Sequence, residues 1–329
     1  MPAMSDFNIL IVAQRGRLAA EAILLAASLR AASPDFSGRL IVAEPQPGPL
    51  WRDDPRIGDA DSYAALDRLG AEILPFEAQV FGDAYPNGNK IEALAQMPDA
   101  PFLFFDSDTL ITGELASLDI DFSRPTASMR RTGTWPEPDL YGPEMSEIWS
   151  SLYTALSLDF ESSLDQTQPE EHWERFLYFN AGWFLGTDPK DFARRMLGVM
   201  AMVRDTPPKE LAGQAIYPWL DQIALPLVIH TLGGGRPAPA LDGLDGAISL
   251  HYRALPLLYA TAPTETVAFL EDIVQPNWIK KPLKSYKPFH RMLYRGDGAK
   301  VRDMFTPMQP DFPEEKIRKR LKRNGLWLR

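Results

Sequence analysis

Residues 101–110 read Pro-Phe-Leu-Phe-Phe-Asp-Ser-Asp-Thr-Leu. A continuous apolar run opened by a proline is the pattern of a strand buried on both faces, as in the interior of a parallel sheet. The run stops at two carboxylates, Asp106 and Asp108, separated by one residue. In extended backbone, residues i and i+2 project to the same side, so the two can converge on one point. Like charges so placed repel each other unless a cation lies between them, and a divalent ion that favours hard oxygen ligands meets that need. The plainer alternative is a polar strand exit in which one aspartate caps the following turn.

The flanking residues decide what kind of sheet this strand enters. Residues 7–13 and 39–43 are short apolar runs, the second ending at Glu44 and a Pro/Gly loop. Residues 18–32 are rich in Ala and Leu and stop before Ser33-Pro34, which predicts a helix. A short helix over 62–69, a strand over 72–74 and a helix over 89–96 precede the acidic strand. Strands alternating with helices at this spacing predict βαβ units, an α/β fold and a mostly parallel sheet. Ligands of such sheets bind outside the carboxyl ends of the strands. Glu44, Asp106 and Asp108 all fall at such ends.

Composition excludes several classes. There is no cysteine, so disulfides and thiolate metal sites are ruled out. No apolar run approaches the ~18 residues of a membrane-spanning helix. The first apolar run has no basic residue before it and Arg15 and Arg17 just after, which predicts a first strand instead of a signal peptide, and with it a cytoplasmic protein. The 30 prolines suggest stiffened loops. One loop, 130–143, holds Arg130, Arg131, Trp135 and Tyr141 and reads as a binding loop or a packed surface loop. The net charge of −10 conceals an asymmetry: residues 280–329 hold 15 Lys/Arg against 5 Asp/Glu.

Five later segments matter. Residues 177–186 have the aromatic composition of a strand, interrupted by Asn180 and Gly182, and a glycine inside a strand marks a kink or the close approach of a ligand. Helices are predicted over 145–156, 190–204 and 219–231, the last despite Pro226 and with Asp221-Gln222 in its first turn. A short strand over 248–253 carries His251 near its end. A lone histidine there is usually an ordinary hydrogen-bonded side chain.

Taken in chain order, these pieces resemble nucleotide-sugar glycosyltransferases of the GT-A fold, in particular glycosyltransferase family 8, the glycogenin and lipopolysaccharide-galactosyltransferase group. The likeness lies in Ser28-Leu29-Arg30, the Lys90 helix, Asp106-Ser107-Asp108 as a D-x-D motif, Asn180-Ala181-Gly182, Asp221-Gln222 and His251, and it spans residues 7–255. The resemblance implies Mn²⁺ or Mg²⁺ held by Asp106, Asp108 and His251, a donor set that suits manganese better than calcium. It implies a sugar-nucleotide donor, a UDP-sugar first, bound by Lys90, Asp106, Ser107, Asp108, Asn180, Ala181 and Gly182. Asp221 or Gln222 would lie beneath the anomeric carbon. Topology adds Glu44 as a contact to base or ribose. The acceptor would be a glycan or glycolipid of bacterial polysaccharide or glycolipid synthesis.

One departure stands out. The lysine expected soon after the histidine is missing from His-Tyr-Arg-Ala-Leu-Pro at 251–256, which leaves Arg253, Lys280 or Lys281 to supply that charge. We therefore expect a catalytic domain over 1–275 and a basic, aromatic extension over 276–329. Basic residues interleaved with aromatics suit anionic lipid headgroups, so residues 280–329 predict peripheral contact with the inner face of a membrane. The alternative is a charged helix packed on the acidic body. Nucleic acid is not expected, because no recognisable module accompanies the charge. The rival functions are a haloacid-dehalogenase-type phosphatase, a nucleotidyltransferase, and a sugar-nucleotide-binding protein without catalysis.

Overall fold

The computed structural model describes residues 7–129, 135–306 and 312–328. β1 (Asn8–Val12), α1 (Arg17–Ala32), β2 (Leu40–Pro45), α2 (Ala60–Arg68), β3 (Ala71–Phe76), α3 (Asn89–Leu94) and β4 (Phe102–Phe105) alternate as the sequence predicts. The chain continues through β5 (Thr109–Ile111), β6 (Thr126–Ala127), α4 (Met145–Ala155), β7 (Trp183–Gly186), α5 (Pro189–Asp205), α6 (Leu220–Thr231) and β8 (Ser249–His251). It then forms α7 (Leu255–Thr261), α8 (Thr264–Ile273), α9 (Asn277–Ser285), α10 (Lys287–Tyr294), α11 (Asp297–Phe305) and α12 (Glu314–Arg323).

The central sheet has the order β3-β2-β1-β4-β7-β6. Its first four strands are parallel, and β7 runs antiparallel between β4 and β6. With helices on both faces, this is the α/β architecture with a mostly parallel sheet that the sequence predicts. β4 shows why its residues form a central strand: Phe102 and Phe104 face one core, Leu103 and Phe105 the other, and all four are buried. α3 to α6 cover the first face, and α1, α2 and the C-terminal helices cover the second.

The predicted strand over 177–186 is realised only in its last four residues. Asn180 Oδ1 accepts the backbone N–H of Gly182 at 2.7 Å, and Ala181 adopts φ 58°, so a turn replaces the strand before residue 183. In the 130–143 loop, Arg130 and Arg131 lie outside the described residues. Trp135 is buried edge-on against Trp149 and donates its indole N–H to the Ala215 carbonyl (3.1 Å), while Tyr141 is exposed.

The C-terminal third shares the core of the sheet. In α1, residues 19–29 are all buried, because the helix lies between the sheet and the C-terminal helices. Ile279, Leu283, Phe289, Val301, Ile317 and Leu321 belong to the same apolar cluster as Ile9 and Ile11, on both sides of residue 275. Ile317 and Leu321, one turn apart in α12, are each almost wholly buried, worth about 1.5–3 kcal/mol apiece in holding the helix down. Part of the basic charge of this region is paired internally: Lys281 with Asp61 (2.9 Å), and Arg291 and Lys300 with Asp297. Among the described residues no helix is long and apolar enough to cross a membrane.

Candidate active site

The first half of the site is the chain reversal after β4. The backbone N–H of Asp106 donates to the Gly182 carbonyl at 2.8 Å, continuing the ladder one residue past the strand. The chain then turns into β5, which pairs antiparallel with β8 in a register that sets Thr109 opposite His251. The N–H of Tyr252 donates to the Asp108 carbonyl at 2.9 Å. This small ladder closes the long sequence gap between the acids and the histidine. His251 Nε2 lies 3.1 Å from Asp108 Oδ1 and 3.8 Å from Asp106 Oδ2. One ligand atom from each of the three falls within 4.8 Å of the others, the one such metal-competent group among the described residues.

Gly182 makes room for this arrangement. A Cβ there would lie 2.3 Å from His251 Nδ1 and 2.9 Å from Asn180 Oδ1. Burial alone would lower the pKa of the His251 imidazole, but the Asp108 and Asp106 carboxylates outweigh it and hold the value above the ordinary one. Burial would likewise raise Asp108, yet His251 and Arg17 hold its carboxyl down to about 2.

A buried ion pair stands behind these ligands. Lys90, in α3, places Nζ 2.9 Å from Asp221 Oδ2 and 3.6 Å from Asp106 Oδ1, and donates to the Ala181 carbonyl at 3.4 Å. Burial opposes the ammonium, and the two aspartates more than restore it, so its pKa sits above that of an ordinary lysine. Asp221, in the first turn of α6, accepts the Tyr85 hydroxyl at 2.6 Å on its other oxygen. It is buried and does not line the cleft. Its neighbour Gln222 does, with Oε1 accepting the Tyr178 hydroxyl at 2.7 Å.

On the opposite side, Arg17 of α1 pairs with Glu21 at 3.0 Å and lies 3.6 Å from Asp108. The Ser107 hydroxyl donates to Glu21 at 3.1 Å, and burial together with Asp108 pushes the Glu21 carboxyl up to about 8. These groups surround a cleft of about 320 Å³ at the carboxyl ends of β1 and β4, also walled by Asn180, Arg253, Arg318 and Trp327. Sequence reasoning did not anticipate Arg17, Glu21, Tyr85, Tyr178, Arg318 or Trp327. Only Arg17 and Glu21 carried a local signal, an i,i+4 ion pair at the start of a helix rich in Ala and Leu. Glu44 is buried away from the cleft, its carboxylate accepting the Tyr63 hydroxyl, the Ile57 N–H (2.9 Å) and the Gln46 amide (3.1 Å). Of the three cations considered for the missing lysine, Arg253 lines the cleft and Lys280 and Lys281 do not.

The family model of the Rhodobacterales glycosyltransferase domain matches residues 9–233, more than half of the chain. The chain belongs to that family. It is a glycosyltransferase, and the phosphatase and non-catalytic alternatives fall away. The matched span contains Lys90, Asp106, Asp108, Asn180, Gly182, Asp221 and Gln222, while His251 and the C-terminal helices lie beyond it. No curated protein sequence matches this glycosyltransferase. Similar solved structures include galactosyltransferase LgtC in complex with donor and acceptor sugar analogs, at 16% identity over 94% of this chain and 98% of that one, TM-score 0.42. An active-site mutant of LgtC matches over the same shares at 16% identity, TM-score 0.41. The apo structure of the bifunctional glycosyltransferase WbbM matches at 13% identity over 85% of this chain, TM-score 0.48, and this chain spans about half of that one (51%).

Proposed function

We propose that this glycosyltransferase takes its sugar from a nucleotide diphosphate donor, a UDP-sugar first, with a divalent ion, Mn²⁺ or Mg²⁺, held by Asp106, Asp108 and His251. The observation that carries the reading is the convergence of two carboxylates and an imidazole with Lys90, Asn180 and Gln222 on one cleft at the strand ends. The residues fit the ion. Two oxygens and one nitrogen are a donor set suited to Mn²⁺ or Mg²⁺, and Gly182 leaves the space in which the imidazole ring seats. A divalent ion bound there supplies Lewis-acid neutralisation of the charge that develops on the departing diphosphate.

The chain's own residues then divide the work. Lys90 fixes Asp106 from behind and offsets its charge, and Asp221 is the positioning residue that holds Lys90. Ser107, tied to Glu21, sets the turn between the two acids. Tyr178 engages the oxygen of Gln222, leaving the amide N–H groups to donate to the sugar, with Asn180 beside it. Glu44 orders the loop before α2 through Ile57, Gln46 and Tyr63. The acceptor is a glycan or glycolipid. A lipid-linked acceptor would meet the exposed outer face of α12, where Lys316, Lys322 and Arg323 project.

Calorimetric titration of UDP and GDP, each with and without Mn²⁺, tests this directly. UDP is expected to bind in the presence of Mn²⁺ and markedly more weakly without it. If neither nucleotide binds, with or without Mn²⁺, the reading is removed. A second test is Gly182→Ala. The added methyl must displace the His251 ring, since the contact at Nδ1 is far inside van der Waals distance. Mn²⁺ affinity should fall about 10–100-fold, the range for disturbed ligand orientation, with the fold retained. Unchanged Mn²⁺ affinity would mean that His251 is not a ligand.

A further inference from the structure

Three ion-paired groups stand around the cleft, and they differ in balance. Lys90 is one cation between Asp221 and Asp106. Arg17 is one cation between Glu21 and Asp108. The third group is reversed: Glu314 of α12 is one carboxylate between Arg253 and Arg318, with Arg318 Nε at 2.7 Å. Both arginines line the same cleft as Asp106 and His251. The wall formed by residue 253 and α12 therefore keeps a surplus positive charge, whereas Lys90 is outnumbered by its two carboxylates.

We infer that α12 is part of the donor site, and that Arg318 acts with Arg253 on the phosphate groups of the donor. This rests on the sugar-nucleotide reading above. A planar guanidinium presents paired N–H donors that match phosphate oxygens, and it stays charged when partly buried. Both side chains retain access, at 23% and 34% exposure. Both are also held in place. Arg253 adopts φ 60°, unusual for a residue with a side chain, in a tight turn where the Ala254 N–H donates to the Tyr252 carbonyl at 2.7 Å. That turn follows His251 by two residues and so fixes the guanidinium relative to the metal ligands. Arg318 lies 4.9 Å over the Trp327 ring, and Trp327 itself lines the cleft. Ile317, Leu321 and Leu326 bury their side chains and dock this segment on the body. Glu314 holds both guanidinium groups in register without cancelling their combined charge.

The experiment compares UDP with UMP, both with saturating Mn²⁺, on the full chain and on the variants Arg253→Gln and Arg318→Gln. Glutamine keeps part of each side chain's length and removes its charge. Each variant should bind UDP about ten-fold or more weakly, the scale of a lost charged hydrogen bond, with UMP affinity within two-fold of the parent. Arg318→Lys should recover part of the UDP affinity, which a purely structural role for Arg318 would not require. If either glutamine variant unfolds, the ratio of UDP to UMP affinity in Arg253→Lys and Arg318→Lys serves instead, expected to drop by several-fold. Equal UDP affinity in parent and variants overturns this inference while leaving the donor reading intact. A parent that binds no nucleoside diphosphate overturns the donor reading itself.

Discussion

Replacing both acids of the turn, Asp106→Asn with Asp108→Asn, should reduce the rate of sugar transfer by at least about 10³-fold and abolish its dependence on Mn²⁺. The scale follows from losing two of three ligands at the place where leaving-group charge develops, where a single stabilising contact is already worth about 10²–10³-fold. Asparagine keeps the shape and one of the two oxygens of each side chain, so the loss reports mainly the charge. Stability should change little in the absence of metal, because Arg17 keeps Glu21 and Lys90 keeps Asp221 when the two acids are neutralised. The same pair should erase the thermal stabilisation that Mn²⁺ confers on the parent, which is about 2.7 kcal/mol at one hundred times the dissociation constant. Measuring melting with and without Mn²⁺ therefore gives a readout independent of the acceptor. A double variant that still gains stability from Mn²⁺, or still needs Mn²⁺ for transfer, would place the ion elsewhere.

What could be read from the chain divides along the range of the interactions involved. The acidic turn was legible because its meaning is local: an apolar strand ends in two carboxylates one residue apart, although a turn at 107–108 and not the strand's pleat brings them together. Gly182 and Asn180 were visible as interruptions of an aromatic run, and the structure gives their reason in the seat of His251. Glu44 obeyed the same rule of strand ends as Asp106, yet its carboxylate turns to Tyr63 and the Ile57 N–H, because no pattern in the sequence reports the path of the loop beside it. Asp221 and Gln222 were indistinguishable as neighbours in a first helical turn. Helix geometry points successive residues about 100° apart, which puts one behind Lys90 and the other in the cleft. Arg318 and Trp327 were hidden for another reason. A basic, amphipathic helix looks the same whether its polar face meets water, lipid or a cleft, and only the docking of Ile317 and Leu321 decides which arginine turns inward.

Lys90→Met should cost about 3–5 kcal/mol of folding stability, the range for removing one partner of a buried ion pair, and lower the melting temperature by about 4–7 °C. Methionine fills most of the volume, so packing is nearly conserved and the cost is electrostatic. Asp221 is left buried with one oxygen still accepting the Tyr85 hydroxyl and the other without its cation, and Asp106 loses the positive charge behind it. The second variant, Lys90→Met with Asp221→Asn, should recover at least half of the loss, because the amide still accepts from Tyr85 and no longer needs a counter-charge. The recovery is a double-mutant coupling and isolates the pair from the rest of the site. Transfer activity should not recover with it, since Asp106 remains without its cation in both variants. Parallel recovery of stability and activity would instead make Lys90 a scaffold for Asp221 alone. A loss below about 1 kcal/mol for Lys90→Met would show that water reaches this pair and that its burial carries no structural weight.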